Sequence, residues 1–84
     1  MNGLSIEELY EEARRAWKQF RGSQEDLGAI LDIDRSAISR AVRNEGMKHA
    51  SVQARIVSYV KGVPVQRRST YMGSRIHHCW VIDP

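Results

Sequence analysis

The chain has 84 residues, a net charge of +3 and one cysteine, Cys79. That length suits one small domain, which buries roughly 60–65% of its unfolded surface, and the charge sign favours nucleic acid over basic partners. A lone cysteine excludes an internal disulfide and fits a reducing cytosol; no signal peptide is evident, and no apolar run is long enough to span a membrane.

The first predicted helix opens on Leu4-Ser5-x-x-Glu8-Leu9, a capping box with a hydrophobic staple and Ser5 as the N-cap. Leu9, Ala13, Ala16, Trp17 and Phe20 recur on one stripe, and Gly22 ends the helix. Trp17 and Phe20 read as core anchors beneath the next two helices. Their stripe spacing explains them better than stacking on bases does. The outer face is acidic, with Glu7, Glu8, Glu11 and Glu12, whereas the chain from Arg35 onward is mostly basic.

The second helix follows Ser23. Gln24-Glu25-Asp26 supplies a near-match to the capping box, with Asp26 where Glu or Gln is usual. Leu27, Ile30 and Leu31 bury one side. Gly28 inside this helix costs about 1 kcal/mol against Ala, which makes sense where another helix backbone passes close by. Asp32-Ile33-Asp34 breaks the period, with Ile33 pointing inward and Asp34 as the next N-cap. The third helix is predicted over residues 35–45, with Gly46 as its stop. Ile38, Ala41 and Val42 share its inner face. Ser36, Ser39, Arg40 and Arg43 share the outer one, with Arg35 at its start and Glu45 toward the inner side. Two short helices joined by a tight turn, the second with a basic face, are what a protein needs to lay a helix in the major groove. The competing reading is a helical hairpin with a solvated arginine face. The clustering of these arginines without an acid among them argues against it.

Residues 47–50 read as a connection and Ser51 to Lys61 as a fourth helix, burying Val52, Ile56, Tyr59 and Val60 and ending at Gly62. After Pro64 the period shifts. Val65–Met72 and Arg75–Ile82 read as strands joined by a type II′ turn at Gly73-Ser74. That register opposes Tyr71 to Ile76, Ser69 to His78, Arg67 to Trp80 and Val65 to Ile82. One face then carries Val65, Tyr71, Ile76, Trp80 and Ile82, and Arg67 is expected to stack on Trp80. An isolated hairpin is barely stable, so it must pair with a second subunit, touch phosphate through Arg67, Arg68 and Arg75, or cover the core.

His77-His78-Cys79 does not make a metal site. Adjacent strand residues point to opposite faces, and no second cluster supplies further ligands. Cys79 has no activating setting. No phosphate-cradling loop or carboxylate pair appears, so a non-enzyme without a cofactor is expected.

The stretch Gln24 to Arg43 resembles the Cro/CI-type (XRE-like) helix-turn-helix repressors of phage and bacteria. Their loose pattern is Q-x-x-L-A-x-x-L-G-[IV]-S-x-[ST]-x-[IV]-S-[RK], matched here by Gln24, Leu27, Leu31, Ile33, Ser36, Ile38, Ser39 and Arg40. Gly28 replaces the usual Ala. Asp32 replaces the turn Gly and must take a left-handed backbone. The likeness covers roughly residues 5 to 62. It implies a four-helix lambda-repressor-like helix-turn-helix domain over residues 1–62. The C-terminal β-hairpin over 63–84 has no assigned counterpart in the family and comes from the period alone, which makes the expected fold mainly α with a C-terminal β-hairpin in a single domain.

What the resemblance implies is a cytoplasmic, dimeric repressor of a phage or mobile element, reading a palindromic operator in double-stranded DNA. Arg35, Ser36 and Arg40 take the family's base-contacting positions, and Arg can grip guanine in bidentate fashion. Arg43 reaches a base or phosphate, Ser39 bonds near the backbone, and Gln24 meets phosphate at its helix end. Lys48 and His49 are candidates for the phosphate backbone. In small Cro-like proteins such a hairpin joins two subunits, which makes Tyr71, Ile76, Trp80 and Ile82 the expected dimer contacts. The other reading is a protein-binding module, an antitoxin or inhibitor that also regulates its own promoter, with Trp80, Tyr71 and Met72 of the hairpin as partner surface. A DNA-bending accessory protein is a third.

Overall fold

Both N-terminal helices start where their caps lie in the sequence. In the computed structural model, which describes residues 3–82 apart from the side chain of Met72, α1 runs Ile6–Gln19 and α2 Gln24–Leu31. The Ser5 hydroxyl accepts from the Glu8 N–H at 3.1 Å while the Ser5 N–H donates to the Glu8 carboxylate at 2.9 Å. Ser23 and Asp26 repeat the exchange at 3.0 and 2.9 Å. Two otherwise orphaned N–H groups are satisfied at each end.

Helix α2 ends because Asp32 turns left-handed, at φ 56 and ψ 47. The Ile33 N–H then donates to the Gly28 carbonyl at 2.8 Å and the Asp32 N–H to Ala29 at 3.4 Å, which closes a Schellman motif. The need for glycine at residue 28 has its source here. A Cβ on Gly28 would stand 2.5 Å from the Ile33 carbonyl oxygen. The close neighbour is therefore the turn itself, not a crossing helix.

Helix α3 spans Arg35–Ala41, shorter than the expected 35–45. Gly46 is not its stop. With φ 123 and ψ 157 it is the N-cap of α4, which runs Met47–Lys61. The segment 47–50, expected as a connection, is thus the first turn of α4. It contains no helix breaker, and its Ala50 is buried. The extra turn adds Ala50 to the inner stripe, which is Ala50, Gln53, Ile56 and Val57 and shares only Ile56 with the expected one. Tyr59, expected inside, is 46% exposed. Gly62 closes the helix in the left-handed region, at φ 69.

The core is built by all four helices, and alanines at 13, 16, 41 and 50 let them approach closely around Leu9, Leu27, Ile38 and Ile56. Trp17 and Phe20 are only half-buried. Their rings stack at 6.0 Å, and Phe20 meets the edge of Tyr59 at 6.3 Å. They pack against the edge of the core, with Phe20 also reaching α4 through Tyr59.

Strands β1 (Val65–Met72) and β2 (Arg75–Ile82) pair antiparallel in the expected register, from Val65 opposite Ile82 to Met72 opposite Arg75. Of the two turn residues only Gly73 takes a positive φ, 65°, as a type II′ turn requires. Leu4 adds a short third edge: its N–H donates to the Trp80 carbonyl at 2.7 Å and its carbonyl accepts from Trp80 at 3.0 Å. The base of the hairpin is buried against the helices, and Ile76 further along β2 still lines a cleft with Ile6 and Met47. Trp80 is 2% exposed and belongs to the core, whereas Tyr71 is 75% and Ile76 50% exposed near the tip. Among the described residues no helix is long and apolar enough to cross a membrane.

Candidate nucleic-acid interface

A seven-residue helix is too short to hold its place by itself, so α3 depends on what its two sides do. Its inner side is fixed in the core by Ile38 and Ala41, followed by Val42. The outer side presents Arg35, Ser36 and Arg40 to solvent, with Ser39 half-buried. Arg43 lies past the helix end, in the turn to α4. Its Nε donates to the Ser39 carbonyl at 3.2 Å, so the stem folds back along the helix.

Helix α4 holds α2 and α3 in register from their carbonyl ends. The buried Gln53 amide donates to Ala41 O at 2.9 Å and Asn44 O at 2.8 Å. Arg55 Nη2 donates to Leu31 O at 2.6 Å, at the end of α2. The Asn44 side chain donates to Arg40 O at 3.0 Å. The Gln53 and Arg55 contacts satisfy carbonyls at the helix ends, whereas Arg40 O also accepts from the Asn44 backbone N–H at 3.0 Å. None was expected from sequence. The available signal was the inner stripe of a helix begun at Met47, which places Gln53 among apolar residues.

The electrostatics are asymmetric. Among the described residues the ion pairs are Glu12 with Arg15 at 2.8 Å and Glu12 with Lys61 at 3.1 Å. Arg35, Arg40, Arg43 and Lys48 make none. Arg35 shares a shallow groove with Glu25, Asp32 and Asp34. Arg35 thus has acids beside it, unlike the acid-free setting expected, and Arg40 stands clear of that groove. Glu45, expected toward the inner face, is exposed and lines a different groove with Glu7, Glu8, Glu11 and Glu12. Lys48 is exposed in the first turn of α4, two residues past Gly46, and His49 is half-buried beside it.

Gln24 is the first residue of α2 and half-buried. The Asp26 N–H at this end is already bonded to Ser23, and Glu25 and Asp26 bring negative charge. A phosphate there is better met by the Gln24 side-chain amide than by the helix end itself. The Ser23 backbone N–H, and then its hydroxyl, hold the Asp26 carboxyl below its ordinary pKa, and Ser5 does the same to Glu8.

The expected dimer contacts divide. Tyr71 and Ile76 are open and Ile82 is half-buried, but Trp80 is enclosed by the chain's own core and cannot offer a partner its ring. Because it is buried, Trp80 carries no stacked Arg67 either; among the described residues the cation–π contact is Arg14 over Tyr10, at 5.6 Å. The side chain of Met72, also expected on a partner surface, lies outside the described residues. The His78 Nδ1 and Ser69 hydroxyl share a hydrogen bond at 2.9 Å across the hairpin. Among the described residues no group of three or more His, Cys, Asp or Glu could hold a metal ion.

No protein-family model, curated protein or solved structure matches the chain.

Proposed function

We propose that this chain is a sequence-specific regulator that binds double-stranded DNA, with α2 and α3 forming a helix-turn-helix and α3 laid in the major groove. One observation carries the reading. Helix α3 is pinned on its inner side and capped from α4, while its outer side offers Arg35, Ser36 and Arg40 without an ion-pair partner among the described residues. Desolvating an arginine already engaged by a carboxylate would cost the binding energy; here that cost is absent.

In this reading Arg40 and Ser36, one turn apart, meet base edges, and Arg35 joins them at the helix start. Ser39, Gln24, Arg43 and Lys48 meet phosphates and fix the register. A single domain makes few contacts, so binding at cellular salt calls for two copies on a two-fold site. The exposed Tyr71 and Ile76 supply the surface for the second copy. Repression by blocking polymerase is the simplest output. The same two side chains favour the second reading, a protein-binding module such as an antitoxin or inhibitor that also controls its own promoter.

The test is Arg40→Ala, assayed on a duplex selected by the wild type. The expected loss is roughly 1–3 kcal/mol, with relaxed preference at one base pair per half-site. Wild-type affinity and preference in the variant would remove α3 from the interface.

A further inference from the structure

The hairpin carries charge that neither the core nor the tip contact uses. No Asp or Glu occurs between Gly46 and Ile82, a stretch that holds Lys48, Arg55, Lys61, Arg67, Arg68 and Arg75. Arg55 is engaged by the Leu31 carbonyl and Lys61 by Glu12. Lys48 and the three hairpin arginines are exposed, and among the described residues none of them makes an ion pair.

The register sorts the hairpin's side chains. Tyr71 and Ile76 are cross-strand partners and so share a face with Trp80. Arg68, Thr70, Arg75 and His77 fall on the opposite face, all exposed. The ribbon therefore has an apolar side near its tip and a cationic side behind it.

Its direction is also fixed. Val65 lies beside Ser58 of α4 and Arg67 lies in a cleft with Ser51 and Met47. Strand β1 thus runs back along α4 toward its N-terminus, and Ile76 of β2 reaches the cleft at Met47. Eight residues of strand span about 26 Å. The tip consequently projects at the end of the molecule where α3 passes into α4, the end that carries Arg43 and Lys48 together with Glu45 and Glu7.

We infer that the cationic face of this hairpin, with Arg68 and Arg75 as its charges, binds the phosphate backbone flanking the bases that α3 reads. The partner follows from charge: Arg68 and Arg75, exposed and without an ion pair among the described residues, come from both strands and fit a polyanion, the nearest acid in the adjoining cleft being Glu7, beside His77. On the other face Tyr71 and the exposed part of Ile76 remain for the second copy, so the two uses do not compete. This inference rests on the proposed DNA reading by α3, and the test separates the two.

The experiment compares the full-length wild type with the Arg68→Ala/Arg75→Ala double variant, titrated against both a selected duplex and a random-sequence duplex at several salt concentrations. The expected result is a weaker affinity by the same factor on both duplexes. The slope of log K against log salt should become shallower by about 2, near 0.9 per lost phosphate contact. The bases preferred in selection should not change. Both positions are exposed, and a thermal melt confirms that the variant folds. An unchanged slope and affinity would overturn the inference. So would weaker binding that tracks loss of the dimer in sedimentation, because the arginines would then serve a second copy. If the wild type selects no motif, the α3 reading fails, yet the slope on the random duplex still decides the role of the hairpin.

Discussion

Gln53, fully buried, donates its side-chain amide to the carbonyl oxygen of Ala41 at 2.9 Å. The same amide reaches Asn44 O at 2.8 Å, so one side chain closes the end of α3 and the turn beyond it. A buried carbonyl left without a donor costs about 1–3 kcal/mol. The Gln53 Oε1 is buried without a partner among the described residues, which offsets part of the loss, so Gln53→Ala should lower unfolding free energy by about 1–3 kcal/mol, the cavity included. Urea denaturation checks this; a change under about 0.5 kcal/mol would mean that α3 does not depend on the contact.

Gly28 offers a test in the opposite direction from helix propensity. Ala is the better helix former by about 1 kcal/mol, and the resembled pattern has Ala here. In this chain the added Cβ would meet the Ile33 carbonyl oxygen at 2.5 Å, and a backbone atom of a closed turn cannot easily give way. Gly28→Ala should destabilise by about 1–3 kcal/mol. A thermal melt showing stabilisation would contradict the Schellman closure described above.

The two capping boxes predict acid sensitivity of known sign. The Ser5 N–H holds Glu8, and the Ser23 N–H holds Asp26, below their ordinary pKa values, each with help from the hydroxyl. A carboxyl with a depressed folded pKa contributes stability that is complete above its unfolded value and is lost as pH falls through the folded one. The melting temperature should fall on acidification below about pH 4. Glu8→Gln/Asp26→Asn, which keeps acceptors at both caps without the charge, should show a smaller fall than the wild type. Parallel falls in the two proteins would place the acid-sensitive groups elsewhere.

Trp80 and the hairpin tip should separate stability from association. Trp80→Ala removes a 2%-exposed ring from the core and should cost about 3–5 kcal/mol, enough to unfold a chain of this size. Tyr71→Ser/Ile76→Ser touches exposed positions and should stay within about 0.5 kcal/mol per site. Sedimentation of that double variant should show weaker self-association; an unchanged dimer would move the interface away from the tip.

Local chemistry was readable along the chain. Ser5 with Glu8, Ser23 with Asp26 and the whole hairpin register follow from neighbours in sequence, the left-handed Asp32 follows from the resembled pattern, and the structure carries all of them. What was not readable depends on long-range placement. A glutamine such as Gln53 reads as a surface residue until α4 is seen to bury the Ala50, Gln53, Ile56 and Val57 stripe against the end of α3. Gly46 has a role on either side of a helix boundary, and it is the end of α3 at Ala41, with α4 beginning at Met47, that decides for α4. The burial of Trp80 required knowing that Leu4, far off in sequence, pairs with its backbone. In the candidate site, the side on which Arg35, Ser36 and Arg40 lie was legible from helical period, but the supports from Gln53 and Arg55 were not.

The most direct test of DNA reading is selection of bound duplexes from a random DNA pool, sequenced for the wild type and for Arg40→Ala in parallel. The account predicts a palindrome with half-sites about one helical turn apart for the wild type, and the same palindrome with one position per half-site relaxed for the variant. No motif from the wild type, together with binding that vanishes at modest salt, would contradict it and reduce the α3 face to a nonspecific electrostatic patch.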